Sequence, residues 1–186
     1  IDTQDQQIIG DPTPDFTYGI NNTVTYKNFD LNVFIQGKQG GDVFNLTRVQ
    51  LMNGDANAIT DVLDAWSLEN PESNIPRVGN NSLRELSTRF VEDGSYIRLK
   101  NVSIGYRIPA NIVQRVGLSN ARVSFSAQNL LTITGYSGLD PEVNYFGGGG
   151  ESNNPGNPRN PNTTNGFDYG NYPTIRSYTF SVNLKF

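Results

Sequence analysis

Ser177-Tyr178-Thr179-Phe180-Ser181-Val182-Asn183-Leu184-Lys185-Phe186 sets an apolar side chain at every second position. A period of two sends successive side chains to opposite faces of an extended chain, so this stretch predicts a strand with one apolar and one polar face. The same period recurs upstream. Phe16, Tyr18, Ile20, Val24 and Tyr26 alternate with Thr17, Gly19, Asn21, Thr23 and Thr25, interrupted only by Asn22, and Phe29, Leu31, Val33 and Ile35 alternate with Asp30, Asn32 and Gln36. Lys27 and Asn28 are left between these two strands as a tight hairpin turn. A third strand, from about Ser95 to Ile108, changes parity from Ile97 and Leu99 to Val102, Ile104 and Tyr106, and a β-bulge near Lys100 and Asn101 restores a common face. The fourth carries Ala121, Val123, Phe125 and Ala127 on one side and Arg122, Ser124, Ser126 and Gln128 on the other, continuing into Leu130 to Ile133.

Helix is scarce beside these five strands. Asn57 to Leu68 offers Ile59, Val62, Leu63 and Trp66 for a short amphipathic turn or two, ended by Asn70-Pro71, and Val113 to Val116 suits another brief turn. The connections alternate in length. Lys27-Asn28 is tight and Pro109 to Asn120 modest, whereas Gly37 to Gly94 and Gly135 to Pro173 are long, polar and rich in Gly, Asn and Pro. In an antiparallel up-and-down sheet both long loops then share one end and the C-terminus lies at the other. Outer-membrane barrels have that asymmetry, with long external loops and short periplasmic turns.

Composition removes several classes of function. Among 186 residues there is neither Cys nor His, so no Ser-His-Asp or Cys-His set, thiolate zinc site or redox pair can form. A net charge of -4, with no run of Lys and Arg, argues against nucleic acid or an anionic membrane surface as partner. No stretch approaches the roughly 18 apolar residues of a membrane-crossing helix, which leaves a β-barrel open. Ile1 follows no Met, basic leader or apolar h-region, so the chain is expected to begin mid-protein or after processing.

Alternation alone serves a soluble sugar-binding β-domain as well as a membrane barrel. Three features favour the barrel. The polar face carries Asp30, Gln36, Arg98, Lys100, Arg122, Asn183 and Lys185, which suits a wide wet lumen; the strands reach about ten residues, the length of a tilted membrane strand; and Phe16, Tyr26, Phe29, Tyr106, Tyr178 and Phe186 recur near strand ends, where interfacial girdles sit. Five strands cannot close a barrel, whose smallest closed form has about eight, so a section of a larger barrel is expected.

Longer motifs sharpen this. Asp11-Pro12-Thr13-Pro14-Asp15-Phe16-Thr17-Tyr18-Gly19, then Arg89-Phe90-Val91-Glu92-Asp93-Gly94-Ser95-Tyr96-Ile97-Arg98-Leu99-Lys100-Asn101-Val102-Ser103-Ile104-Gly105-Tyr106, then Ser126-Ala127-Gln128-Asn129-Leu130-Leu131-Thr132, Tyr136-Ser137-Gly138, Asp140-Pro141-Glu142 and the terminal strand together resemble the C-terminal end of SusC/RagA-type TonB-dependent outer-membrane transporters of Bacteroidetes. The resemblance implies an all-β, antiparallel up-and-down transmembrane barrel segment. Residues 1–186 would supply the last five of about 22 strands, with plug and N-terminal barrel lying elsewhere. It further implies a SusD-like surface lipoprotein and the TonB complex as partners, import of glycan oligomers or peptides, an integral outer-membrane location and a periplasmic C-terminus.

Glu92 with Asp93, and Asp140 with Glu142, are the close carboxylate pairs. They sit where loops meet strands, and local hydrogen bonding accounts for them better than acid–base chemistry, which needs two carboxylates at a set distance in a cleft. No metal, cofactor or catalytic residue is assigned. Gly147-Gly148-Gly149-Gly150 lacks the Lys-Ser/Thr and helix of a phosphate loop, and the Asn-x-Ser/Thr sites at Asn21, Asn45, Asn80, Asn101 and Asn162 follow from an Asn-rich chain. For substrate contact the loop aromatics Trp66, Tyr136, Tyr145, Phe146, Tyr169 and Tyr172 are the candidates, since flat rings stack on sugars and peptide side chains. The row Tyr178, Phe180, Val182, Leu184 and Phe186, ending on an aromatic, resembles the signal read by the barrel-assembly machinery and marks the expected C-terminus of the parent.

Overall fold

The computed structural model describes residues 7–52, 57–77, 87–143 and 165–186. In chain order the elements are β1 (Phe16–Tyr26), β2 (Phe29–Gln39), β3 (Asp42–Asn45), α1 (Leu46–Met52), β4 (Val91–Asp93), β5 (Tyr96–Arg107), α2 (Ala110–Val113), β6 (Asn120–Thr134), β7 (Phe167–Asp168) and β8 (Ser177–Lys185), with single 3-10 turns at Thr60–Asp64, Thr88–Phe90 and Gln114–Val116. The chain divides into two compact units. One comprises Asp15–Gln39, Ser95–Thr134 and Thr174–Phe186; the other comprises the N-terminal stretch to Pro14, Gly40–Gly94 and Gly135–Pro173.

The first unit is a five-stranded antiparallel sheet in the order β1-β2-β5-β6-β8, the up-and-down order that alternating long and short connections imply. Register carries one apolar residue from each strand into a continuous row: Val24 faces Leu31, Leu31 faces Ile104, Ile104 faces Phe125 and Phe125 faces Phe180. The expected bulge is present. Phe34 pairs with Asn101 and Ile35 with Leu99, so Lys100 is the inserted residue at the Phe34/Ile35 step. On the other side Asn101 pairs with Gln128 and Leu99 with Leu131, and Asn129 absorbs the offset at φ 51. One inserted residue flips the parity of everything beyond it. Ile97 and Leu99 thereby join the face of Val102, Ile104 and Tyr106, and Leu131 and Ile133 join that of Val123 and Phe125.

Lys27, at φ 52, turns β1 into β2, and Asn28 ties the turn to β5, donating from Nδ2 to the Arg107 carbonyl and accepting from its N–H. On the polar face Arg122 reaches diagonally across β5 to Asp30, passing over Gly105, where a Cβ would lie 2.3 Å from its Nη2. Glycine is required there by close approach. Arg98, expected to face a wet lumen, is instead 1% exposed, and donates to Thr132 and Thr174 Oγ1. Register also gathers Lys27, Arg107, Arg122 and Lys185 at the short-turn end of the sheet. The linear sequence has no basic run, and register alone brings these four residues to one end.

The second unit corrects the picture of its segments as plain polar loops. β3 pairs antiparallel with β4 and parallel with β7, forming a small sheet of its own, and α1 was not legible in the sequence. Leu46, Val49 and Met52 fall on one face of α1, and Val49 and Met52 pack with Phe44 and Phe90 into a core that Ile9, Ile59 and Phe167 border. The Asn57 to Leu68 expectation shortens to the single 3-10 turn, with Leu63 exposed.

Candidate functional site

The loop unit is organised around Glu92 in β4, an edge strand of the small sheet. Its Oε2 accepts the Ser137 N–H at 2.8 Å; its Oε1 accepts the Ser137 hydroxyl at 2.8 Å and Asn45 Nδ2 at 3.1 Å, with Arg48 Nη1 at 3.6 Å. Asn45 is buried and does double duty, because its Oδ1 accepts the N–H of Arg48 and so caps the start of α1. Arg48 continues to Asp61 at 3.2 Å. One carboxylate thus joins segments 45 to 48, 61, 92 and 137. A carboxylate with both oxygens taken by donors is a bracing group, poorly suited to moving protons.

A second node lies at Asp168. The Tyr136 hydroxyl donates to Asp168 Oδ2, while Oδ1 accepts the Asn171 N–H at 3.3 Å, the turn pattern typical of Asp. Tyr136 is buried with Val43 and Val143. Burial first, then the hydrogen bond to Asp168 and the charges of Asp168 and Glu92, push its hydroxyl far above the ordinary tyrosine value, so it stays a donor. Asp140 closes a third turn by accepting the Glu142 N–H at 2.9 Å. At the N-terminal motif Asp11 accepts the Thr13 N–H at 2.8 Å, which with the Thr13 side chain holds its carboxyl below the usual range. Asp11 N and O bond Asp42 Oδ2 and Asp42 N, and Gly41, at φ 81, lets the backbone of Pro12 and Pro14 pass where a Cβ would come within 2.8 Å of the Pro12 carbonyl. The motif residues that looked like signatures are the joints of this unit.

Beside the Glu92 node opens a cavity of about 380 Å³, bordered by Asn45, Arg48, Asp61, Asp168 and Asn171 with Leu51, Ile59 and Leu139. The Nδ2 of Asn171 is buried without a hydrogen-bond partner among the described residues. Among those residues no three His, Cys, Asp or Glu side chains converge as a metal would need.

The candidate aromatics take different positions. Tyr172 is 87% exposed; Trp66 and Tyr169 are exposed, and Tyr169 accepts a hydrogen bond from Gln50 at 3.0 Å. Tyr136 is buried, its ring spent on packing and its hydroxyl on Asp168, so it offers no free face. Tyr145 and Phe146 lie outside the described residues, and none of the other four candidates borders the cavity. The Glu92 node itself was missed because its partners lie 45 and 47 positions away in the chain. The terminal row Tyr178, Phe180, Val182, Leu184 and Phe186 is exposed.

No family model matches the chain. Curated proteins and solved structures do. Over 186 residues, all of this chain and 18% of the other, it is 47% identical to TonB-dependent receptor P3 of Formosa agariphila. It is 25% identical to TonB-dependent receptor SusC of Bacteroides thetaiotaomicron, again along all of this chain and over 16% of that receptor. Its fold superposes on the RagAB peptide transporter with a TM-score of 0.75 at 26% identity, covering 96% of this chain and 18% of that one. The chain therefore spans less than a fifth of the length of each relative.

Proposed function

Because this chain belongs, along its whole length, with the SusC/RagA-type TonB-dependent receptors, we propose that it forms a section of the barrel wall of a bacterial outer-membrane transporter, serving uptake and not catalysis. The observation that carries this reading is the two-faced sheet. One face exposes Val24, Leu31, Ile104, Phe125 and Phe180 in an unbroken row, while the other bears Asp30, Arg98 and Arg122. Hydrocarbon is the solvent such a row fits, and the backbone ladder satisfies the polar main chain that hydrocarbon cannot.

In this reading the chain is the C-terminal section, the last five of about 22 strands, and a plug and the remaining strands complete the receptor. The short turns and the C-terminus face the periplasm and the loop unit faces outward. A SusD-like surface lipoprotein covers the loops, and the TonB complex drives uptake of glycan oligomers or peptides; the likeness to the RagAB peptide transporter supports the peptide class. Trp66, Tyr169 and Tyr172 present rings to cargo or lid, Tyr145 and Phe146 stand as candidates on sequence alone, and Tyr136 braces its loop through Asp168. The row ending at Phe186 serves barrel assembly.

Phase partitioning of the full-length receptor tests the core of this. Recovery in the detergent phase, with heat-modifiable mobility, is the expected result; recovery as a monodisperse protein in the aqueous phase without detergent would contradict it.

A further inference from the structure

Basic residues gather at the short-turn end of the sheet. The short-turn end holds Lys27 in the hairpin, Arg107 at the end of β5, Arg115 in the β5–β6 connection, Arg122 on β6 and Lys185 on β8. One acid shares that end, Asp30, and Arg122 binds it. The chain has 14 basic and 18 acidic residues, which leaves nine basic against 17 acidic for every other segment. Lys27, Arg107, Arg115 and Lys185 make no ion pair among the described residues.

The apolar face of the sheet runs on into the same end. Phe29 and Tyr106 pack with ring centroids 4.5 Å apart and planes tilted by 41°, and Lys27 Nζ lies 5.3 Å from the Tyr26 ring centroid. α2 packs against β6, and both Val113 and Ala121 are buried, although Ala121 stands opposite the exposed Leu184 on the apolar face. The connection thus folds onto that face. Ile112 and Val116, one helical turn apart, extend it past the strand ends, Val116 at 71% exposure, with Arg115 beside them. The β1–β2 and β5–β6 turns are two strand spacings apart, roughly 10 Å.

An acidic protein would account for the cations alone. The exposed Ile112, Val116 and Tyr26 at the same level call for a partner that is apolar below and anionic at its surface. We infer that the short-turn rim, through Lys27 and Arg115, binds the phosphate groups of anionic phospholipids in the leaflet it meets. This rests on the membrane reading above. It assigns the rim a lipid preference beyond simple insertion, and a surface basic residue near such a leaflet strengthens binding by roughly fivefold.

The test uses the full-length receptor in nanodiscs, with a fluorophore on a single cysteine replacing the exposed Gln114 and head-group spin-labelled phosphatidylglycerol or phosphatidylcholine as quencher. The expected result is quenching several-fold stronger by phosphatidylglycerol, a preference that fades in high salt and in the pair Lys27→Gln and Arg115→Gln, but persists in Arg176→Gln beside the start of β8. Equal quenching by both lipids, or a preference untouched by the paired substitution, overturns the inference while leaving insertion intact. Absence of quenching by either lipid in an inserted receptor also overturns it. A receptor that will not enter nanodiscs contradicts the membrane reading itself.

Discussion

Phe90 and Phe180 are the same side chain in opposite circumstances. Phe90 is 1% exposed, enclosed by Phe44, Val49 and Met52 in the loop unit, whereas Phe180 is 68% exposed on a row whose other members are exposed as well. The loop unit hides its apolar groups among themselves and spends its polar groups on Glu92 and Asp168. The sheet unit leaves the large apolar side chains of one face exposed and keeps its polar pairings, such as Arg122 with Asp30, on the other. A fold with its own apolar core and a sheet with an exposed apolar face follow from one chain, distinguished by where the apolar side chains find company.

The largest effect that separates the two regions is expected at Phe90. Phe90→Ala should remove about 3–5 kcal/mol from the loop core, opening the Arg48 and Arg89 bonds to trypsin while the barrel keeps its heat-modifiable mobility. Loss of both together would mean that the regions do not differ in this way. Next, Val182→Arg should cost about 2–4 kcal/mol of barrel stability in bilayers, with Ser181→Arg nearly neutral; equal losses of folded barrel from the two would erase the distinction between faces.

How much of this could be read beforehand follows the same division. A period of two writes a strand's faces directly into neighbouring residues, so the five strands, the Lys27-Asn28 turn and the bulge at Lys100 were legible from local pattern. The loop unit is made of contacts between distant segments. Leu46–Met52 carries only a short local signal, the Asn45 cap and three apolar residues at helical spacing, and what holds it as a helix is packing against the distant Phe90. The motifs Glu92-Asp93-Gly94 and Tyr136-Ser137-Gly138 pointed to the places that matter, but not to each other. The same limit hid the basic rim, which exists only once β1, β5, β6 and β8 are in register. Tyr136, read as a substrate ring, is a buried donor, and neither composition nor spacing distinguishes the two roles.

Smaller effects refine the loop side. Tyr136→Phe leaves Asp168 short of its hydroxyl donor and should cost about 1–3 kcal/mol, visible as faster amide exchange around Asp168 with no change in the sheet. Smallest is the acid response of the N-terminal motif. Thr13 holds the Asp11 carboxyl below its ordinary value of 3.8, so its contribution is full above that value and lost as pH falls through the lowered one. Protection of the Thr13 amide should therefore persist down to about pH 4 and decline below it; a decline already under way near neutrality would assign the joint to another group.

The most direct measurement walks a nitroxide along β8, one cysteine at a time from Ser177 to Lys185, in the receptor in bilayers, and compares collisions with oxygen, which dissolves in lipid, and with a water-soluble nickel chelate. The account predicts oxygen maxima at Tyr178, Phe180, Val182 and Leu184 and nickel maxima at Thr179, Ser181 and Asn183, out of phase with a period of two. Uniform exposure to the nickel chelate along the strand, or maxima in the reverse phase, would contradict it.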